Sequence, residues 1–197
     1  MIKNKVQKNS IGFPKNQGLY DSSKEHDSCG VGFIVDTNNN ASHDIVSKGL
    51  SMLCNLEHRG AVGADPKAGD GSGILLQIPH EFFKKEIDHF ELPEKNEYAV
   101  GVFFLKKNDE LRDKILKKIE EVCNKENIPF LGWRICPTYE DELGWSVKPT
   151  TPYVYHLFVE KPDNVIEQDD FERKIYVLRQ CIDKEIMSMG NEYYDQF

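Results

Sequence analysis

Apolar positions change their period along the chain, and those changes mark out the elements. Val31, Phe33, Ile34 and Val35 make a short apolar run closed by the turn-forming residues Asp36 to Asn40, which predicts a buried strand directly after Cys29. Ser42 then stands as a cap before a helix. Its Ile45, Val46, Leu50, Leu53 and Leu56 share a face at helical spacing, and Gly60 supplies the stop. After a glycine-rich loop from Gly69 to Gly73, Ile74 to Ile78 reads as a second buried strand ended by Pro79, and His80 to Phe90 as a short helix. Tyr98 to Leu105 is a third apolar strand. Asp109 opens a helix in which Leu111, Ile115, Ile119 and Val122 recur every three or four residues, with Lys and Glu outside. Phe130 to Ile135 and Pro152 to Val159 read as further strands. Asp170 begins a last helix carrying Phe171, Ile175, Leu178, Ile182 and Ile186.

The two ends differ from this middle. Residues 1–28 contain Gly12, Pro14 and Gly18 and a polar run from Asp21 to Ser28, with no apolar period to specify a packed element, and read as an extended leader. Glu192 to Phe197 reads as the start of a strand with no turn to finish it, which suggests that the chain is cut from a longer protein.

Composition narrows the class. The 197 residues are 39% hydrophobic and 29% charged, which suits one globular domain or a large part of one. A net charge of -8 repels nucleic-acid phosphates and anionic membrane surfaces, so neither is an expected partner. No stretch reaches the roughly 18 apolar residues that cross a bilayer, and the leader lacks the apolar run of a secretory signal. Five cysteines, Cys29, Cys54, Cys123, Cys136 and Cys181, are irregularly spaced with no CxxC, which points to a reducing, cytoplasmic setting and to buried thiols for the last four. No metal is expected: His26 and Cys29 have no second pair at ligand spacing. GDGSG is followed by an apolar strand, not by the helix that makes a phosphate cradle, so it reads as a tight turn held by Asp70. Trp133 and Trp145 read as core aromatics.

One thiol stands apart. Cys29 lies where the polar leader meets an apolar strand, and cleavage there would give it an α-amino neighbour. Such an amine, with an ordinary pKa of about 7.7 to 8.0, can take the proton from the thiol of its own residue.

Several segments carry a resemblance. Cys29-Gly30-Val31-Gly32-Phe33, the run Leu56-Glu57-His58-Arg59-Gly60-Ala61 and the stretch from Gly69 to His80, GDGSGILLQIPH, resemble the amidotransferase domain of glutamate synthases in order and separation. QGLYD and EHDSCG in the leader, Leu131-Gly132-Trp133-Arg134 with Pro137, and Phe171-Glu172-Arg173-Lys174-Ile175-Tyr176 continue it, so that it spans about residues 17–197. The resemblance implies an α+β fold of the N-terminal-nucleophile hydrolase type, an αββα sandwich of two antiparallel sheets between helix layers, incomplete here. Residues 1–28 would be a propeptide and 29–197 the N-terminal portion of a class II glutamine amidotransferase domain, truncated at its C-terminal end.

The same resemblance implies that Cys29 attacks the side-chain amide of L-glutamine, and places Arg59 and Gly60 beside the nucleophile's strand as supporting residues. It implies a missing remainder of the polypeptide, with FMN and an iron–sulfur cluster bound there and none in these residues, and a small electron-donating subunit or ferredoxin as partner. A class II amidotransferase with another acceptor, and a non-catalytic module of the same fold, stay open. Edges that absent strands should cover imply poor solubility for the chain alone.

Overall fold

Eight residues rich in aromatic and β-branched side chains, YAVGVFFL, form β1 (Tyr98–Leu105), and FLGWRI and YVYHLFVE form β2 (Phe130–Ile135) and β3 (Tyr153–Glu160). β3 lies between the other two and pairs antiparallel with both, in the order β1-β3-β2. Tyr98 sits opposite Glu160 and Leu105 opposite Tyr153, while the β2 register slips between Phe130 and Gly132, at an irregularity in that edge strand.

The computed structural model describes residues 17–18, 30–56, 65, 67–68 and 71–194. It divides into residues 1–61 with 72–74, and residues 62–71 with 75–197. The second unit holds the sheet. On one sheet face, Leu105, Tyr155, Leu157 and Val159 pack with two helices, α3 (Asp109–Lys125) through Ile115, Ile119, Val122 and Cys123, and α4 (Gln168–Ser188) through Leu178, Ile182 and Ile186. Asn108 caps α3, its side-chain oxygen accepting from Leu111 N at 3.2 Å, and Asp109 and Glu110 in the first turn suit the positive end of the helix dipole. On the other face a short helix, α2 (His80–Glu86), brings Phe83 onto Tyr98 and Phe158, with Ile87 following. Farther along that face Val102 and Phe104 are left exposed, Phe104 at 60%.

In the first unit α1 (His43–Asn55) presents a half-buried stripe of Ile45, Val46, Gly49, Met52 and Leu53, which Leu56 continues at the C-cap. The expected strand after Cys29 is absent as a paired element. Residues 31–35 bond into no sheet, and Val31 and Phe33 are 92% and 87% exposed. The alternation of a strand survives without its ladder, because Ile34 is far less exposed than its neighbours. Residues 74–78 likewise form no strand, with Leu75 fully exposed. An apolar run specifies only which side chains want burial; a strand also needs a neighbouring backbone, and none of the described residues supplies one.

Other boundaries move. α2 stops at Glu86, not Phe90, because Ile87 turns extended. The last helix starts two residues before Asp170, at Gln168. Of residues 192–197, expected to start a strand, 195–197 lie outside the described residues and 192–194 belong to a short helix α5 (Asn191–Tyr194), since Gly190 at φ +120° turns the chain and Tyr193 packs onto the α3–α4 core. Aromatic β propensity yields there to that tertiary contact. No helix among the described residues is long and apolar enough to cross a membrane.

Candidate active site

Cys29, Arg59 and Gly60 lie outside the described residues, as do His26, His58 and Asp70; what is described is the framework on either side of them. Immediately after Cys29, Gly30 and Gly32 bring the chain close to side chains of α1 and its cap. A β-carbon on Gly30 would stand 2.9 Å from Leu56 Cδ1, and one on Gly32 would overlap the Met52 thioether. Farther along α1, Gly49 admits Ile74, whose Cδ1 would lie 3.0 Å from a β-carbon there. One helix face thus receives both the segment after Cys29 and the start of the 74–78 run.

Five residues beyond Gly60 the chain is tied down again. Asp65 is only 5% exposed, and one of its carboxylate oxygens accepts from both the backbone N–H and the hydroxyl of Ser146, each at 2.8 Å. Its other oxygen accepts from Lys67 N at 3.1 Å. The Ser146 N–H does most to hold this carboxyl below the ordinary aspartate value, against the opposing effect of desolvation. Gly144 fits beneath, since a β-carbon there would collide with the carboxylate.

A third cluster lies under α2. His80 Nδ1 and the Tyr98 hydroxyl hydrogen-bond at 3.1 Å in a buried pair, and burial pushes the Tyr98 hydroxyl up to about 12, so it keeps its proton at any physiological pH. Arg134, nearly buried on β2, pairs with Glu86 at 3.2 Å and lies over the rings of Phe82 and Phe83. His156 on β3 sits edge-on to Phe83 and Phe158, and burial, then the Arg134 charge, push its pKa down. The His89 Nε2 donates to the Trp133 carbonyl at 2.8 Å, so a ring covers part of that sheet margin.

The remaining sequence candidates divide. Trp133 packs against the core and its indole N–H donates to Glu120 at 2.8 Å, but Trp145 is 71% exposed, against expectation. Cys123 is buried, Cys136 and Cys181 partly so, and all are free thiols; Cys54 is exposed because it falls on the outer side of α1. Among the described residues no three His, Cys, Asp or Glu side chains gather as a metal site.

Residues 29–196 match the family model of the class-II glutamine amidotransferases. The chain belongs to that family. It is 40% identical over 92% of its length to a Bacillus subtilis protein named glutamate synthase (NADPH) large chain. It is also 40% identical, over 84% of its length, to the glutamate synthase (NADH) of Saccharomyces cerevisiae, and 34% identical, over 92%, to the ferredoxin-dependent glutamate synthase of Pyropia yezoensis. These matches take up 12%, 8% and 12% of the respective relatives, so the chain spans a small part of their length.

For a class-II amidotransferase the sequence reading missed three framework residues: Met52, Leu56 as a contact of Gly30, and Asp65. The signals were present. Gly30 and Gly32 are two apart, as close approach on one side of an extended chain requires, and Asp65 is an acid among glycines and alanines.

Proposed function

We propose that this chain is the glutamine-hydrolysing part of a glutamate synthase, releasing ammonia from L-glutamine for transfer to 2-oxoglutarate in a remainder of the polypeptide. The observation that carries the reading is that the family match opens on Cys29, at the boundary between a polar leader and an apolar segment. Removal of residues 1–28 gives Cys29 a free α-amine. The thiol, its proton taken by that amine, attacks the glutamine side-chain amide; ammonia leaves, and water then releases glutamate from the thioester. Each tetrahedral intermediate needs N–H donors for its oxyanion. Arg59 and Gly60 support the nucleophile in this reading.

The three relatives are all named glutamate synthases, which favours 2-oxoglutarate over another acceptor. Their names carry NADPH, NADH and ferredoxin, so an electron-donating partner belongs to the proposal without its identity. FMN and an iron–sulfur cluster are assigned in this reading to the remainder of the polypeptide. The free thiols support a reducing, cytoplasmic setting. Two antiparallel sheets between helix layers remain the proposed architecture; the open face at Val102 and Phe104 and the outward Val31, Phe33 and Val35 support it, since both want an apolar cover.

The test is an intact mass of the full-length protein with a glutaminase assay on Cys29→Ser. A chain beginning at Cys29, and a loss of at least about a thousandfold in Cys29→Ser, are expected. A chain beginning at Met1, with hydrolysis unchanged in the variant, would falsify the reading.

A further inference from the structure

We propose that Met52 and Leu56 are positioning residues for the nucleophile: two knobs, one on α1 and one at its C-terminal cap, that enter the Gly32 and Gly30 hollows and fix the backbone next to Cys29. The inference rests on the Cys29 reading above and deepens it.

The geometry supports it in three ways. Met52 and Leu56 are four apart, and the cap Leu56 keeps a right-handed helical backbone, so they are spaced about 6 Å along the α1 axis, while residues two apart in an extended chain are spaced about 6.6 Å. Two knobs therefore match two hollows in register, with the chains running in opposite directions: Gly30 meets Leu56 and Gly32 meets Met52. The intervening Val31 and the following Phe33 are almost wholly exposed, as alternation requires if Gly30 and Gly32 face the helix. Finally, both hollows are filled by side-chain termini and not by backbone. An added methyl at Gly32 is accommodated only if the thioether or the chain moves. Gly30 is bonded to Cys29, so any shift of the chain is carried to the thiol and its α-amine.

Position at the reacting centre is where such shifts matter, because a displacement of about 1 Å can cost as much as a hundredfold in rate. The expected signature is a loss in kcat without a loss in glutamine affinity, since the knobs meet the backbone at Gly30 and Gly32, beside the nucleophile in sequence.

The test uses the full-length protein with its mature N-terminus. Gly32→Ala should slow both kcat for glutamine and iodoacetamide alkylation of Cys29, followed by peptide mapping, by about tenfold or more, with KM within about twofold. Gly32→Ala with Met52→Ala, which empties the space the methyl needs, should bring both rates back to within about threefold of the starting protein. The proposal is overturned if the single variant alters neither rate by as much as about twofold, or if the double variant is no better than the single. Should Gly32→Ala not fold, Met52→Leu takes its place: a fall in both rates at unchanged melting temperature supports the proposal, and unchanged rates overturn it. Full hydrolysis by Cys29→Ser would instead strike the parent reading. If Cys29→Ser is dead and the glycine and methionine variants behave as wild type, only the positioning role fails.

Discussion

Asp65 accepts two hydrogen bonds from Ser146, 81 positions away, at 2.8 Å each. The Lys67 N–H donates to the other carboxylate oxygen, so a neutral amide at 65 would turn its NH2 donor either toward that N–H or toward both Ser146 groups. Asp65→Asn is therefore expected to raise trypsin cleavage after Lys67 several-fold at neutral pH, and Ser146→Ala to do so less, since the backbone N–H stays. Because the folded carboxyl titrates below its ordinary value of 3.8, the tie contributes fully above that value and is lost as pH falls through the lower folded one. Equal cleavage of wild type and Asp65→Asn would remove Asp65 as the anchor of this segment.

His156 gives a second pH dependence, at higher pH. The Phe83 and Phe158 rings and the Arg134 guanidinium surround it, and Glu86 already answers the arginine. Its folded pKa lies below the ordinary 6.5, so its contribution is complete above that value and declines as pH drops through the folded one. Melting temperature should fall between about pH 7.5 and about pH 5.5, and His156→Gln should flatten that fall. Parallel declines in the two proteins count against the assignment.

Ile119 is wholly buried at the centre of the α3 face. Ile119→Ala should cost about 3 kcal/mol in urea unfolding, the usual range for an aliphatic side chain whose cavity does not collapse. A cost near the few tenths typical of a surface site would mean that the α3–α4 layer is not packed as described.

Thiol chemistry separates two cysteines. Burial pushes the Cys123 thiol up to about 11, so at about pH 8 only about one molecule in a thousand carries the reactive thiolate. Exposed Cys54 should therefore be labelled within the native protein, and Cys123 only after unfolding. Rapid labelling of both would place Cys123 at the surface.

How far the sequence reaches differs along the chain. β1 and β2 are found at their expected residues, β3 lies within one of its own, and α3 opens at the expected Asp109, because between residues 98 and 188 pattern and partner lie in one contiguous stretch. Pairing and helix contact both bury what the periodicity marks. The runs at 31–35 and 74–78 carry the same apolar signal and form no strand, since a strand needs a partner that its own pattern does not specify. In the candidate site, the sequence singles out Cys29, Arg59 and Gly60 by chemistry and motif. It cannot give the Met52 and Asp65 contacts, which depend on which loop meets which helix or turn.

The strand order β1-β3-β2 has a kinetic consequence. The central strand is the last of the three to be made, so β1 and β2 have no partner while residues 98–152 are being synthesised. The helix α3 can form early from local contacts, but the sheet must wait for residue 160, and closing it joins segments as distant as Tyr98 and Glu160. Two apolar strands therefore spend that interval exposed, and the emergence of β3 is the step that turns a nascent chain into a folding one.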